Sequence, residues 1–74
     1  DGAMAFFDTV LDSEAYQRDD GCIFFVTGEQ YEWMGRLWTV RRCDPDGSID
    51  TVGDFMKYGS KEEARAAAME YANA

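Results

Sequence analysis

Histidine is absent from the 74-residue sequence, which removes the commonest general base and the commonest metal ligand together. Hydrolytic triads need a His or Lys beside the nucleophile, and no such pairing stands out. Paired carboxylates can serve glycoside hydrolysis, but that chemistry needs a cleft that a domain of this size seldom offers. Cys22 and Cys43 are the two cysteines, too few for a structural zinc site. Asp44-Pro45-Asp46-Gly47-Ser48 is superficially like a calcium loop, but the ligand spacing and the terminal Glu are missing, so it reads as a turn. Gly47, Gly53 and Gly59 stand alone, so no phosphate loop is formed. The expectation is a protein that is not an enzyme, with no cofactor, no metal site and no small-molecule substrate. What remains is recognition chemistry: Arg36, Trp38, Arg41, Arg42 and Lys57 crowd into one short stretch.

The elements that must position these residues are legible from composition. Gly35 to Cys43 is rich in the β-branched and aromatic residues that suit a pleated surface, and Asp44 to Gly47 ends it with strong turn chemistry. Cys22 to Thr27, bounded by Gly21 and Gly28, is too short for a buried helix and reads as an earlier strand. Ser48 to about Lys57 gives a third extended run. Ser60 followed by Glu63 has the form of a capping box, and Ala64, Ala67, Ala68 and Tyr71 then share one helical stripe. The fold class expected is α+β: a three-stranded antiparallel meander with one C-terminal helix packed on one face (β-β-β-α), preceded by an acidic N-terminal arm or short helix. Residues 1–21 form that arm, in which 1–3 read as a tag remnant ahead of Met4, and 22–74 form the β-β-β-α domain.

Register follows if Cys22 faces Cys43 and if a four-residue turn sets Cys43 opposite Ser48. One face then carries Ile23, Phe25, Trp38, Val40, Ile49 and Phe55, and is the expected core. The other carries Phe24, Val26, Leu37 and Val52 among Thr39, Arg41, Asp50 and Asp54, with Arg41 directly across from Asp50. Four apolar side chains beyond the reach of the helix need cover from the arm, a second copy or a partner. The same register makes a Cys22–Cys43 disulfide geometrically conceivable, whereas a cytosolic chain would keep both as thiols.

Net charge is −8, and it is unevenly placed. Residues 1–32 hold eight acids against Arg18 alone, while residues 33–74 hold seven acids against six bases. No apolar run approaches the roughly 20 residues that span a bilayer, and the N-terminus lacks a secretory pattern, so no membrane contact and a cytoplasmic location are expected.

Trp33-Met34-Gly35-Arg36-Leu37 and Tyr58-Gly59-Ser60-Lys61, set in a β-β-β-α order, resemble the YegP-type small bacterial domain. The same order resembles the AP2 and integrase-arm type of DNA-binding domain, in which a three-stranded sheet enters the major groove. That second resemblance implies nucleic-acid contacts at Arg36, Trp38, Arg41 and Arg42. Asp44, Asp46, Asp50 and Asp54 interleave with those arginines, however, and duplex binding without a net basic patch is unfavourable. The function expected is therefore a small acidic protein-interaction module, an inhibitor or accessory protein of the kind mobile elements and phages encode. Its partner is another protein or a second copy forming a homodimer, bound through Phe24, Val26, Leu37, Val52, Arg41 and Asp50. Nucleic-acid binding by the arginine-bearing sheet is the alternative.

Overall fold

The computed structural model describes residues 7–31 and 35–74. Four strands, β1 (Phe7–Gln17), β2 (Ile23–Tyr31), β3 (Leu37–Cys43) and β4 (Ile49–Val52), precede one helix, α1 (Lys61–Ala72). They form a single antiparallel sheet in the order β1-β2-β3-β4. The class is α+β as expected, but the three-stranded meander is corrected to four strands, because the stretch read as an arm or short helix is β1.

The reason that strand was hidden is a bulge. Leu11 pairs with Thr27 and Ala15 with Phe25, so Asp12, Ser13 and Glu14 together oppose Val26 alone. The two-residue alternation that marks a half-buried strand is thereby broken in mid-element. The bulge aims Asp12 at the helix, where its carboxylate accepts two bonds from Arg65 of α1, from Nε and from Nη2, both 2.7 Å. This forked pair ties β1 to the helix. It holds the Asp12 carboxyl below its ordinary pKa, because the hydrogen bonds from Arg65 outweigh the cost of its burial.

Two hairpins share one turn geometry. Arg18 N–H donates to the Cys22 carbonyl and Gly21 N–H to the Arg18 carbonyl; Asp44 N–H donates to the Ser48 carbonyl and Gly47 N–H to the Asp44 carbonyl. Gly21 and Gly47 both lie at φ 93, the left-handed position that closes a three-residue hairpin with a bulge. In each, the Asp before the glycine accepts from the N–H two residues on, Asp20 from Cys22 and Asp46 from Ser48. Asp-Gly therefore sets the turn twice.

The Asp44–Ser48 turn is why the β3–β4 register departs from the expected one by one residue, and the β2–β3 register departs by one residue as well. Cys43 pairs with Ile49 rather than Ser48, and with Ile23 rather than Cys22. Since side chains alternate, a single slip exchanges the faces. Trp38, Val40 and Arg42 keep their side, whereas β2 and β4 are inverted relative to the expectation. Phe24, Val26 and Val52 belong to the helix side; Ile23, Phe25 and Ile49 do not. Arg41 lies across from Thr51 rather than Asp50, which instead opposes Arg42. Cys22 and Cys43 point to opposite faces and are free thiols, so the conceivable disulfide has no geometry.

The core lies between the sheet and α1. Phe24, Val26 and Val40 are buried against Ala64, Ala68 and Ala72, with Tyr16, Trp38, Val52, Tyr58 and Tyr71 packed around them. Burying one such large apolar side chain contributes about 1.5–3 kcal/mol. Alanines on the helix let it approach closely, and Phe24 and Tyr71 stack with ring centres 5.9 Å apart. Gly28 faces Trp38, whose ring would lie 2.5–2.8 Å from any added Cβ. The indole occupies the space a side chain would take. Ser60 caps α1, accepting from the Glu63 N–H. The last turn of α1 contains no basic residue, and Arg18 from the first hairpin supplies one, its Nη1 reaching the Tyr71 carbonyl at 3.5 Å.

Candidate functional site

The face that α1 leaves uncovered is built in rows across the sheet. The register aligns Gln17, Ile23, Cys43 and Ile49 in one row, Ala15, Phe25, Arg41 and Thr51 in the next, then Leu11, Thr27 and Thr39, then Glu29 and Leu37. Burial on this face runs opposite to hydrophobicity. Glu29 and Thr39 are fully buried and Thr27 nearly so, while Ile49 is 59% exposed, Leu11 70% and Ile23 36%. Buried polar groups and exposed large apolar ones are the informative departures from an ordinary surface.

The polar group is closed on itself. Thr39 Oγ1 donates to Glu29 Oε1 at 2.7 Å and accepts from the Met56 N–H at 2.8 Å. Arg41 spreads its guanidinium to Thr27 Oγ1 at 3.0 Å, to Thr51 Oγ1 at 2.6 Å and to Glu29 Oε2 at 3.3 Å. Phe55 covers it, with its ring centre 5.5 Å from the guanidinium carbon. Burying a carboxylate costs several kcal/mol unless it is paired, and these partners supply the pairing.

Met56 and Phe55 reach this face because the chain leaves β4 after Val52 and returns at Tyr58, which exchanges two backbone bonds with Trp38 at 2.8 and 3.0 Å. The intervening loop turns through Gly53 at φ 73 and Met56 at φ 58. A left-handed conformation is uncommon for a long side chain, and the bond to Thr39 helps to hold it. Phe55 is left 46% exposed at the surface.

Both hairpin tips flank the row of Ile23 and Ile49. They lie side by side, since a Cβ on Gly21 would approach the Pro45 side chain at 3.2 Å, and Cys22 Sγ lies 3.5 Å from Asp44 Oδ1. Asp19, Asp20 and Asp46 are exposed there. Asp20 is held far below the ordinary carboxylate range, first by Arg18 and then by the Cys22 N–H, and Asp46 is lowered by the Ser48 hydroxyl and N–H. Both carboxylates therefore stay charged to lower pH than an ordinary aspartate, Asp20 the more so. Burial raises the Cys22 thiol, which makes it a poor nucleophile.

The residues singled out in the sequence are thus divided. Phe24 and Val26 are buried beneath α1, and Val52 packs against the same core, so none is presented to a partner. Leu37 and Arg41 do lie on the helix-free face, half-buried. Asp50 is exposed and pairs with Arg42 at 3.4 Å. Arg42 Nε also lies 2.9 Å from Asp44 Oδ1, off the line a hydrogen bond requires, so that contact is electrostatic rather than directed. Arg36 Nη1 donates to the Gly28 carbonyl at 2.7 Å, and Trp38 lies on the helix side with Lys61 Nζ 5.8 Å from its ring. Arg36, Trp38, Arg41 and Arg42 therefore do not form one surface: Arg41 is on one face, Trp38 and Arg42 on the other.

Sequence reasoning gives Glu29 and Thr27 no role, sets Thr39 on the helix-free face without its buried partners, and places Ile23 and Ile49 in the core. The signal that was available is the repeated Asp-Gly, at Asp20-Gly21 and Asp46-Gly47, each between extended runs. Reading both as three-residue turns sets the β1–β2 and β3–β4 registers correctly. Among the described residues there is no cluster of three or more His, Cys, Asp or Glu side chains able to hold a metal ion, and no helix is long and apolar enough to cross a membrane.

A four-stranded meander roofed on one side by a helix, with an acid-flanked and partly apolar opposite side, defines the class as a small α+β protein. The chain belongs to DUF7447, a family of unknown function, whose model matches residues 1–69. No curated protein and no solved structure matches it.

Proposed function

We propose that this protein is a small acidic, non-enzymatic module that binds another protein through the helix-free face of its sheet, as an inhibitor or accessory protein of the kind mobile elements and phages encode. The observation that carries the reading is the inverted burial there: the polar side chains are sealed into one network while Ile23, Ile49, Leu11 and Phe55 stay exposed. Exposed apolar groups rimmed by charge are the usual make-up of a protein-binding patch. The flanking acids give the partner its chemistry, an apolar contact ringed by Lys or Arg. A second copy at net charge −8 is disfavoured by repulsion, whereas a basic surface gains both encounter rate and specificity. The setting proposed is cytoplasmic, where Cys22 and Cys43 remain thiols. Nucleic-acid binding is the weaker reading, because Arg41 is engaged by Glu29 and Arg42 lies between Asp44 and Asp50.

The test compares the wild-type protein with the double variant Ile23→Ser, Ile49→Ser. Light scattering should give the 8.4 kDa monomer for both. Immobilised wild type should retain a basic protein from lysate that is released by added salt and is missing from the variant. Equal retention by the two forms, retention of nothing by the wild type, or a dimeric mass would overturn the proposal.

A further inference from the structure

Beyond that face, we infer a second recognition site at the outer edge of β1, which takes an extended, lysine- or arginine-bearing segment of another protein as an added strand. β1 is an edge strand, with β2 on one side and no strand among the described residues on the other. Backbone direction alternates along a strand, and Arg18 donates inward to Cys22. Gln17 and Ala15 therefore turn their N–H and C=O groups outward, away from β2.

Beside them runs a groove of about 390 Å³ lined by Ala15, Tyr16, Gln17, Met69, Ala72 and Asn73. Met69 is 46% exposed at its rim, so an apolar side chain of an incoming strand meets an adaptable apolar wall. Strand addition draws affinity from main-chain bonds and selectivity from such a side-chain pocket, and this edge offers both.

Charge identifies the occupant. Glu14, Asp19 and Glu70 are exposed on β1, the first hairpin and α1, while the nearby Arg18 and Arg65 are each held by an aspartate. The acidic bulge and rim repel a second copy of this strand, which is how natural edges avoid pairing with themselves. The same charges attract a basic segment.

The probe is a blocked hexapeptide alternating lysine and valine, titrated into the isotope-labelled full chain, with the glutamate–valine hexapeptide as control. The lysine peptide should shift and protect the amides of Ala15 and Gln17 and shift the Met69 methyl, and the glutamate peptide should not. Gln17→Pro removes one outward donor at an edge position that tolerates proline. It should weaken the lysine peptide at least about tenfold, a loss of ~1.4 kcal/mol. Met69→Lys on the exposed side of α1 should do the same, and keeps the test decisive if the proline variant does not fold. No shift with the lysine peptide, equal shifts with both peptides, or full binding by Met69→Lys overturns the site. Shifts centred on Ile23 and Ile49 would also overturn it, while leaving the proposal for the helix-free face standing.

Discussion

The two faces of this sheet are buried by different means. On the helix side, Phe24, Val26 and Val40 vanish beneath a helix whose alanines let it sit close, and burial follows hydrophobicity. On the other side a short loop is the cover, and what it covers is a carboxylate, its threonines and an arginine. Leu11, Ile23, Ile49 and Phe55 stay outside. A core built by the hydrophobic effect thus backs onto a surface held rigid by hydrogen bonds, and a rigid surface with exposed apolar groups loses little conformational freedom on binding.

The largest loss is expected at Phe24, which lies beneath the helix. Phe24→Ala should cost about 3–5 kcal/mol in urea unfolding, enough to threaten a domain of this size. A smaller loss would mean that the helix does not seal this face. Glu29→Leu comes next: it leaves Thr39 without its acceptor and Arg41 without its counter-charge, and should cost toward the upper part of about 1–3 kcal/mol despite adding an apolar group. Greater stability in that variant would show the second face to be an ordinary hydrophobic surface.

Asp12→Asn tests the strap between β1 and α1, with an expected loss of about 1 kcal/mol at neutral pH. The Asp12 pKa is depressed in the folded protein, so its contribution is complete above the unfolded value, near pH 4, and fades as pH falls through the lower folded value. Wild type should therefore lose stability on acidification below about pH 4 more steeply than the variant, as followed by circular dichroism. Parallel curves would mean that the pair adds nothing. Ile49→Ser should have the smallest effect, within about 0.5 kcal/mol, since the side chain is already exposed. A loss as large as that of Phe24→Ala would place Ile49 in a core.

Much of this architecture could be read from local residue types. The cap at Ser60, the alanine stripe and the extended nature of β2 and β3 rest on neighbours in sequence, and each is present. β1 was illegible because Asp12 to Glu14 bulge to meet Arg65, 53 residues away, and no local pattern announces a contact of that range. Of the four apolar side chains that the sequence sets on the helix-free side, only Leu37 lies there. Leu37 and Arg41 were placed properly; Phe24, Val26 and Val52 were exchanged with Ile23, Phe25 and Ile49 by a slip of one position.

By itself the sequence determined an acidic α+β chain without histidine, its strand-forming runs, its turns and its helix cap, because these depend on intrinsic backbone preference and composition. Tertiary structure alone decided which side chains meet. The face a strand residue occupies changes with every one-residue shift in pairing; the left-handed Gly47 turn sets that shift between β3 and β4, and Arg65 reaching back to Asp12 engages the bulge of β1.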